Sequence, residues 1–160
     1  MTRQQALNQI WKKLLLVFLI LSAITISVAY LGKDARVPIL VFLFGNIGAY
    51  VGVHRNLADL SDGELSDLAG SWLGLVIPSF VGGILALVLY LLFLSEIVGG
   101  ELFPSFTNDS KPTLKENFDI ILNQHAPTAA DYAKLLFWSF LAGFNQKYAV
   151  DIIDSVKNRT

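Results

Sequence analysis

Residues 72–98 read WLGLVIPSFVGGILALVLYLLFLSEIV. These 27 residues carry one charged side chain, Glu96, close to the end. A helix of about 20 apolar residues crosses the hydrocarbon core of a bilayer. This run is longer, so it predicts a membrane span with tilt or with a kink at Pro78. Gly99-Gly100 ends it.

Three further apolar runs flank it. Leu14–Leu31 has 18 residues and follows Arg3, Lys12 and Lys13. A basic start before an apolar stretch also describes a signal peptide. Ala29-Tyr30-Leu31-Gly32 is a poor cleavage site, however, so a retained first helix is the better reading. Gly32 to Arg36 makes a polar turn. Val37–Val53 has 17 residues and opens with Pro38, which suits a helix's first turn. Tyr132–Val150 is the fourth run, and Asn145-Gln146-Lys147 sits near its end. A span emerging at the interface is preferred there, with a helix lying in the interface as the alternative.

The connections differ in kind. His54–Ser71 is polar and acidic, with Asp59, Asp62, Glu64 and Asp67. Its Ser61-x-x-Glu64 pattern predicts a capping box and a short surface helix. Residues 99–131 are polar and contain Pro104, Pro112 and Pro127, with a short amphipathic helix expected over Leu114–Leu122. No internal repeat is evident, so a transporter built from duplicated halves is not supported.

The composition agrees with the runs. Among 160 residues, 54% are hydrophobic and 16% charged, where about 25% charged is usual for soluble domains. Mean hydropathy is +0.55. Twelve basic and 13 acidic residues give a net charge of −1, which leaves no global basic surface for nucleic acid. There is no cysteine, so disulfides, thiolate metal sites and a cysteine nucleophile are excluded. The expected fold is all-α: a single polytopic membrane domain over residues 1–160, with about four transmembrane helices at 14–31, 37–53, 72–98 and 132–150.

Lys and Arg near the span ends set orientation. With the N-terminus inside, Arg3, Lys12, Lys13, Arg55, Lys147, Lys157 and Arg159 lie inside, against Lys33, Arg36, Lys111, Lys115 and Lys134 outside: seven to five. The three charges before the first helix favour N-in, C-in, with residues 99–131 facing outward. The expected location is the bacterial inner (cytoplasmic) membrane.

The second run is the most informative for function. Asn46, Tyr50 and His54 recur every four residues, so they share a helix face. Gly45, Gly48, Ala49 and Gly52 lie beside them, and small residues at this spacing let helix backbones approach closely in a membrane. The third run repeats the pattern with Ser79, Gly83, Ala86 and Tyr90, with Gly82 at the margin. Leu85, Val88, Leu89 and Leu92 lie elsewhere and read as lipid-facing. The small faces pack either within one chain or between chains. Asn46, Tyr50, Ser79 and Tyr90 are candidates to line or gate a water-filled path. The plainer alternative is that Asn46 hydrogen-bonds a neighbouring helix and Tyr50 packs. His54 and Arg55, at the span's end, are candidate ligand or partner contacts; interfacial placement and an orientation anchor are their plainer roles. In the first helix, Ser22, Thr25 and Ala29 share a face that reads as packing. Glu96 reads as reaching the headgroups. Trp11, Trp72 and Trp138 read as interface anchors.

Catalysis finds little support. His54 and His125 are far apart, and no His-Glu-x-x-His, Gly-x-Ser-x-Gly or phosphate-cradling glycine loop occurs. The four acids at 59–67 do not match the spacing of a calcium loop. No enzyme activity, metal or cofactor is expected.

Several stretches together resemble a known group. They are Gly45-Asn46-Ile47-Gly48-Ala49-Tyr50 with His54-Arg55, Gly82 to Tyr90, Gly99-Gly100-Glu101-Leu102-Phe103-Pro104, and Phe137 to Tyr148. Over residues 40 to 150 this resembles a broad group of small bacterial membrane proteins whose last helix carries an Ala-Gly-Phe-Ser-Glu-Arg-aromatic signature. Here Ala142-Gly143-Phe144 is followed by Asn145-Gln146-Lys147, so the Glu–Arg pair is absent. Some members resemble membrane effectors of phage-defence operons, including that of the Hailong system, whose partner is a nucleotidyltransferase. The resemblance implies an oligomeric channel-like effector regulated by a nucleotide or short oligonucleotide.

The leading expectation is therefore a homo-oligomeric, channel-like membrane effector. Four short helices enclose too little space for a roomy pore, so a path would come from cyclic assembly. Phe42, Leu43 and Phe44 are candidates for an apolar gate. The second reading is a non-conducting anchor or accessory subunit for a cytoplasmic partner, docked on the acids at 59–67 and the C-terminal tail. The third is a holin-like pore.

Overall fold

The structure is a computed structural model, which describes residues 2–31, 36–106, 126 and 128–146. The Leu114–Leu122 helix, His125 and the residues from Lys147 onward lie outside the described residues. Among the described residues the chain is all-helical. It forms α1 (Arg3–Leu31), α2 (Arg36–Asn56), a 3₁₀ turn (Leu57–Asp59), α3 (Asp62–Gly70), α4 (Leu73–Leu94) and α5 (Ala129–Phe144).

Three helices are long and apolar enough to cross a membrane: α1 from Arg3 to Val28, α2 from Val37 to Asn56, and α4. This makes the chain a helical membrane protein. The described part of the fourth run, α5, has 16 residues. That is about 24 Å of helix, short of a hydrocarbon core about 30 Å thick. It begins at Ala129, three residues before the expected start at Tyr132.

Boundaries shift elsewhere for local reasons. α1 starts eleven residues before the apolar run because Arg3-to-Lys13 contains good helix formers and packs on α3. The third span stops at Leu94 rather than Val98. Glu96 has φ 56°, the left-handed conformation that closes a helix, and its N–H donates to the Phe93 carbonyl at 3.1 Å. Glu96 is thus an exposed cap residue beyond the helix.

α3 forms as its capping box predicts. The Ser61 hydroxyl accepts from the Glu64 N–H at 3.4 Å, and the Glu64 carboxylate accepts from the Ser61 N–H at 2.9 Å. The bond from the Ser61 hydroxyl holds the Glu64 carboxyl below its ordinary pKa.

The packing has two centres. At one end, Leu65 and Ala69 of α3 bury against Ala6, Ile10 and Leu14 of α1. At the other, Val41 of α2, Leu89, Tyr90 and Phe93 of α4, and Leu135 of α5 pack with Phe106. Leu89, expected to face lipid, is buried in the cluster that joins α4 to Val41 and Leu135, and Leu85 and Leu92, expected to face lipid as well, are partly buried against the same cluster. Between the two centres, α2, α4 and α5 form a tight three-helix unit. α1 stands apart through most of its membrane length.

Candidate functional site

The centre of the three-helix unit is built from glycine. A β-carbon on Gly45 would lie 2.5 Å from the Gly82 carbonyl oxygen and 2.6 Å from the Ala86 methyl. One on Gly82 would lie 2.5 Å from the Ala49 β-carbon, and one on Gly52 would lie 2.7 Å from the Phe144 carbonyl oxygen. Gly48 faces the Phe140 carbonyl, Gly83 faces the Asn46 amide, and Gly143 faces the Gly45 carbonyl. Every small residue named from sequence on α2 and α4 therefore stands at a contact within one chain. Gly143 of α5, which sequence reasoning did not place there, is a third party to it. In lipid there is little hydrophobic drive between helices, so such close backbone contact is a main source of association.

One polar clasp lies in this packing. Ser79 Oγ donates to the Asn46 carbonyl at 3.1 Å and lies 3.3 Å from Asn46 Oδ1. Asn46 Nδ2 donates to the Phe42 carbonyl, one turn back, at 2.8 Å. Both residues are buried, and each polar group has a partner, as burial requires. Tyr90 is buried edge-on to Phe106. Asn46, Ser79 and Tyr90 thus face the chain's own interior.

The expected stripe Asn46–Tyr50–His54 divides. Each four-residue step turns the helix about 40° beyond a full revolution, so Asn46 and His54 diverge by about 80°. Asn46 meets α4, whereas Tyr50 packs on Phe18 of α1 with ring centroids 5.4 Å apart. His54 meets Trp11 of α1 edge-to-face at 4.4 Å. Arg55 turns the other way and lies over the Phe144 ring of α5, 4.6 Å from its centroid.

Those contacts bring one end of every long helix together. Lys13 donates to the Ala69 carbonyl at 2.6 Å and lies 5.2 Å over the Trp72 ring. Arg3 pairs with Asp62 at 2.6 Å. Trp11 and Trp72 are half exposed. At this end, α2, α4 and α5 line a half-open cavity of about 400 Å³. Ala49, Gly52 and Gly143 line it deep in the bundle, with Val53, Pro78 and Phe144 alongside. Its polar lining is Arg55, Asn56, Asn145 and Gln146. Gln146 Nε2 donates to the Pro78 carbonyl at 2.8 Å, tying the end of α5 to α4.

The opposite end holds a second polar latch. Asp131, at the start of α5, accepts from the Thr128 hydroxyl at 2.6 Å and from the Ser105 N–H at 3.2 Å. The Thr128 bond foremost, then the Ser105 bond, hold its carboxyl below the ordinary 3.8, and Lys134 at 3.6 Å adds to this. Trp138 stacks on Phe103 and donates to the Leu102 carbonyl at 2.9 Å, which anchors the segment after α4 onto α5.

Sequence reasoning missed Asp131, Gln146 and Gly143 as structural residues. Thr128-x-x-Asp131 is a helix-start pattern that was available for the first. Nothing local announces the other two. Among the described residues no group of three His, Asp or Glu side chains is placed to hold a metal ion. Comparison with protein-family models, curated proteins and solved structures finds no match for this chain.

Proposed function

We propose that the chain is a homo-oligomeric, channel-like membrane effector that assembles through the membrane half of α1. One observation carries this. The membrane half of α1 is the least covered of the three long apolar helices: 11% of its apolar window is buried, against 44% in α2 and 39% in α4, and Leu15, Leu19 and Ile26 are 58–60% exposed. Ala23 and Ser27, four residues apart, are also exposed on it, and small residues at that spacing favour helix–helix association in lipid. A path between copies is then lined by α1, and Asn46, Ser79 and Tyr90 serve to hold each subunit closed. The proposed topology is four spans in the bacterial inner membrane, N-in and C-in, with residues 99–131 outside. An antiphage role, a nucleotide or oligonucleotide ligand and a nucleotidyltransferase partner belong to the same proposal through the resemblance described above. Ligand contact falls to Arg55 rather than His54, which packs on Trp11.

The test is ion flux through liposomes holding the purified chain, with its oligomeric mass measured in parallel. Flux from an oligomer, reduced by Ala23→Leu, is expected. A monomer without flux contradicts the proposal.

A second reading, the non-conducting accessory subunit, is favoured by the closed Asn46–Ser79 clasp and by hydroxyls on α1 that bond their own backbone. Thr25 donates to the Leu21 carbonyl and Ser27 to the Ala23 carbonyl, each at 2.8 Å. Of the four acids offered for docking, Asp62 and Glu64 are already engaged, by Arg3 and Ser61. Asp59 and Asp67 would carry the contact.

A further inference from the structure

We infer that the cavity among α2, α4 and α5 binds a phosphate group of an anionic ligand at the headgroup level of the membrane. The cavity measures about 400 Å³, within the range of small-ligand sites. Among the described residues its one charged lining group is Arg55, and the other polar ones are the carboxamides of Asn56, Asn145 and Gln146. These described residues supply a cation and amide N–H donors, one of them, Gln146 Nε2, already donating to the Pro78 carbonyl, and such a set recognises phosphate. Arg55 Cζ lies 4.6 Å from the Phe144 ring centroid, a contact that holds the guanidinium at the cavity, and its N–H groups are the part that grips phosphate oxygens. The remaining wall, including Val53 and Phe144, is apolar, so the cavity suits a ligand with a charged head and an apolar body. Half-exposed Trp11 and Trp72 mark this end as the headgroup level.

Two sources supply this chemistry, an anionic phospholipid and a free phosphate. The site rests on the membrane placement of this end and is independent of conduction, so a failed flux experiment leaves it standing.

The test uses the purified full chain in detergent. Native mass spectrometry follows retention of dioleoylphosphatidylglycerol against dioleoylglycerol, which has the same chains and no phosphate. The unfolding midpoint is followed with and without inorganic phosphate. Phosphatidylglycerol retention is expected, weakened about tenfold by Arg55→Gln and unchanged by Lys13→Gln, a cation at the same level outside the cavity. Asn145→Leu, at an exposed residue, should also weaken it and guards against a folding defect in the Arg55 variant. A midpoint raised by inorganic phosphate in the wild type but not in Arg55→Gln also supports the site and assigns the free source. Equal loss in Lys13→Gln and Arg55→Gln, or no response to either probe, overturns it.

Discussion

Gly143 of α5 and Gly45 of α2 meet backbone to backbone: a β-carbon on Gly143 would collide with the Gly45 carbonyl oxygen. Gly82 of α4 closes the same contact from the third side, its would-be β-carbon 2.8 Å from that oxygen. Neither neighbour is a flexible side chain that can swing away. Gly143→Ala and Gly45→Ala should each destabilise the chain by about 1–3 kcal/mol. Gly63→Ala should be neutral or stabilising by up to about 1 kcal/mol, because a methyl there meets open space in a helix. Unfolding midpoints of the three variants in one detergent check the contrast.

The Asn46–Ser79 clasp makes a distinct prediction. Ser79→Ala removes the hydrogen bonds across the helices and should cost about 1 kcal/mol. Replacing both residues, as Asn46→Leu with Ser79→Ala, should cost less than the sum of the two single changes, because no buried polar group is then left alone. A double-mutant cycle on unfolding free energy reads this coupling. Additive costs, with a change in ion flux from Asn46→Leu alone, would instead place Asn46 on a water-filled path.

What was legible in the sequence was local or periodic. The apolar runs read out α1, α2 and α4, and Ser61-x-x-Glu64 read out the start of α3. The small faces were legible as positions, since spacing by four puts Gly45 and Ala49 on one side of a helix. Their partners were not, because spacing within a helix says nothing about the neighbour. Leu89 is a misread spacing: seven residues after Gly82, it shares that helix's buried face, and it packs in one cluster with Val41 of α2 and with Leu135 of α5, some 40 residues on. The same distance hides Gln146 from Pro78, 68 residues apart, and Trp138 from Leu102, 36 apart.

Asp131 ties stability to acid pH. Its folded carboxyl titrates below the ordinary 3.8, so the folded state releases its proton more readily than the unfolded chain. The stabilisation is complete above that ordinary value and is lost as pH falls through the lower, folded one. Glu64 acts in the same direction, through Ser61. The wild-type midpoint should therefore fall as pH drops below about 4, and less steeply in Asp131→Asn. Midpoints measured across that window decide it, and identical slopes would deny Asp131 the role.

Glu96 carries a side chain where the helix end needs a left-handed residue, at φ 56°. It is exposed and its backbone N–H already completes the cap. Glu96→Gly should stabilise the chain by about 1 kcal/mol by removing the β-carbon penalty. An unchanged or lower midpoint would show that the carboxylate has a use at that surface.

In the proposed assembly copies meet through α1, and because the sequence has no cysteine, introduced thiols report on that contact cleanly. Ala23→Cys places one thiol on the bare face of α1, and Ile84→Cys places one on a lipid-exposed face of α4, where the native residue is 45% exposed. The measurement is oxidative cross-linking of each variant in native membranes. Ala23→Cys should give a disulfide-linked dimer and Ile84→Cys little. Equal cross-linking from both, or none from Ala23→Cys, would contradict that assembly.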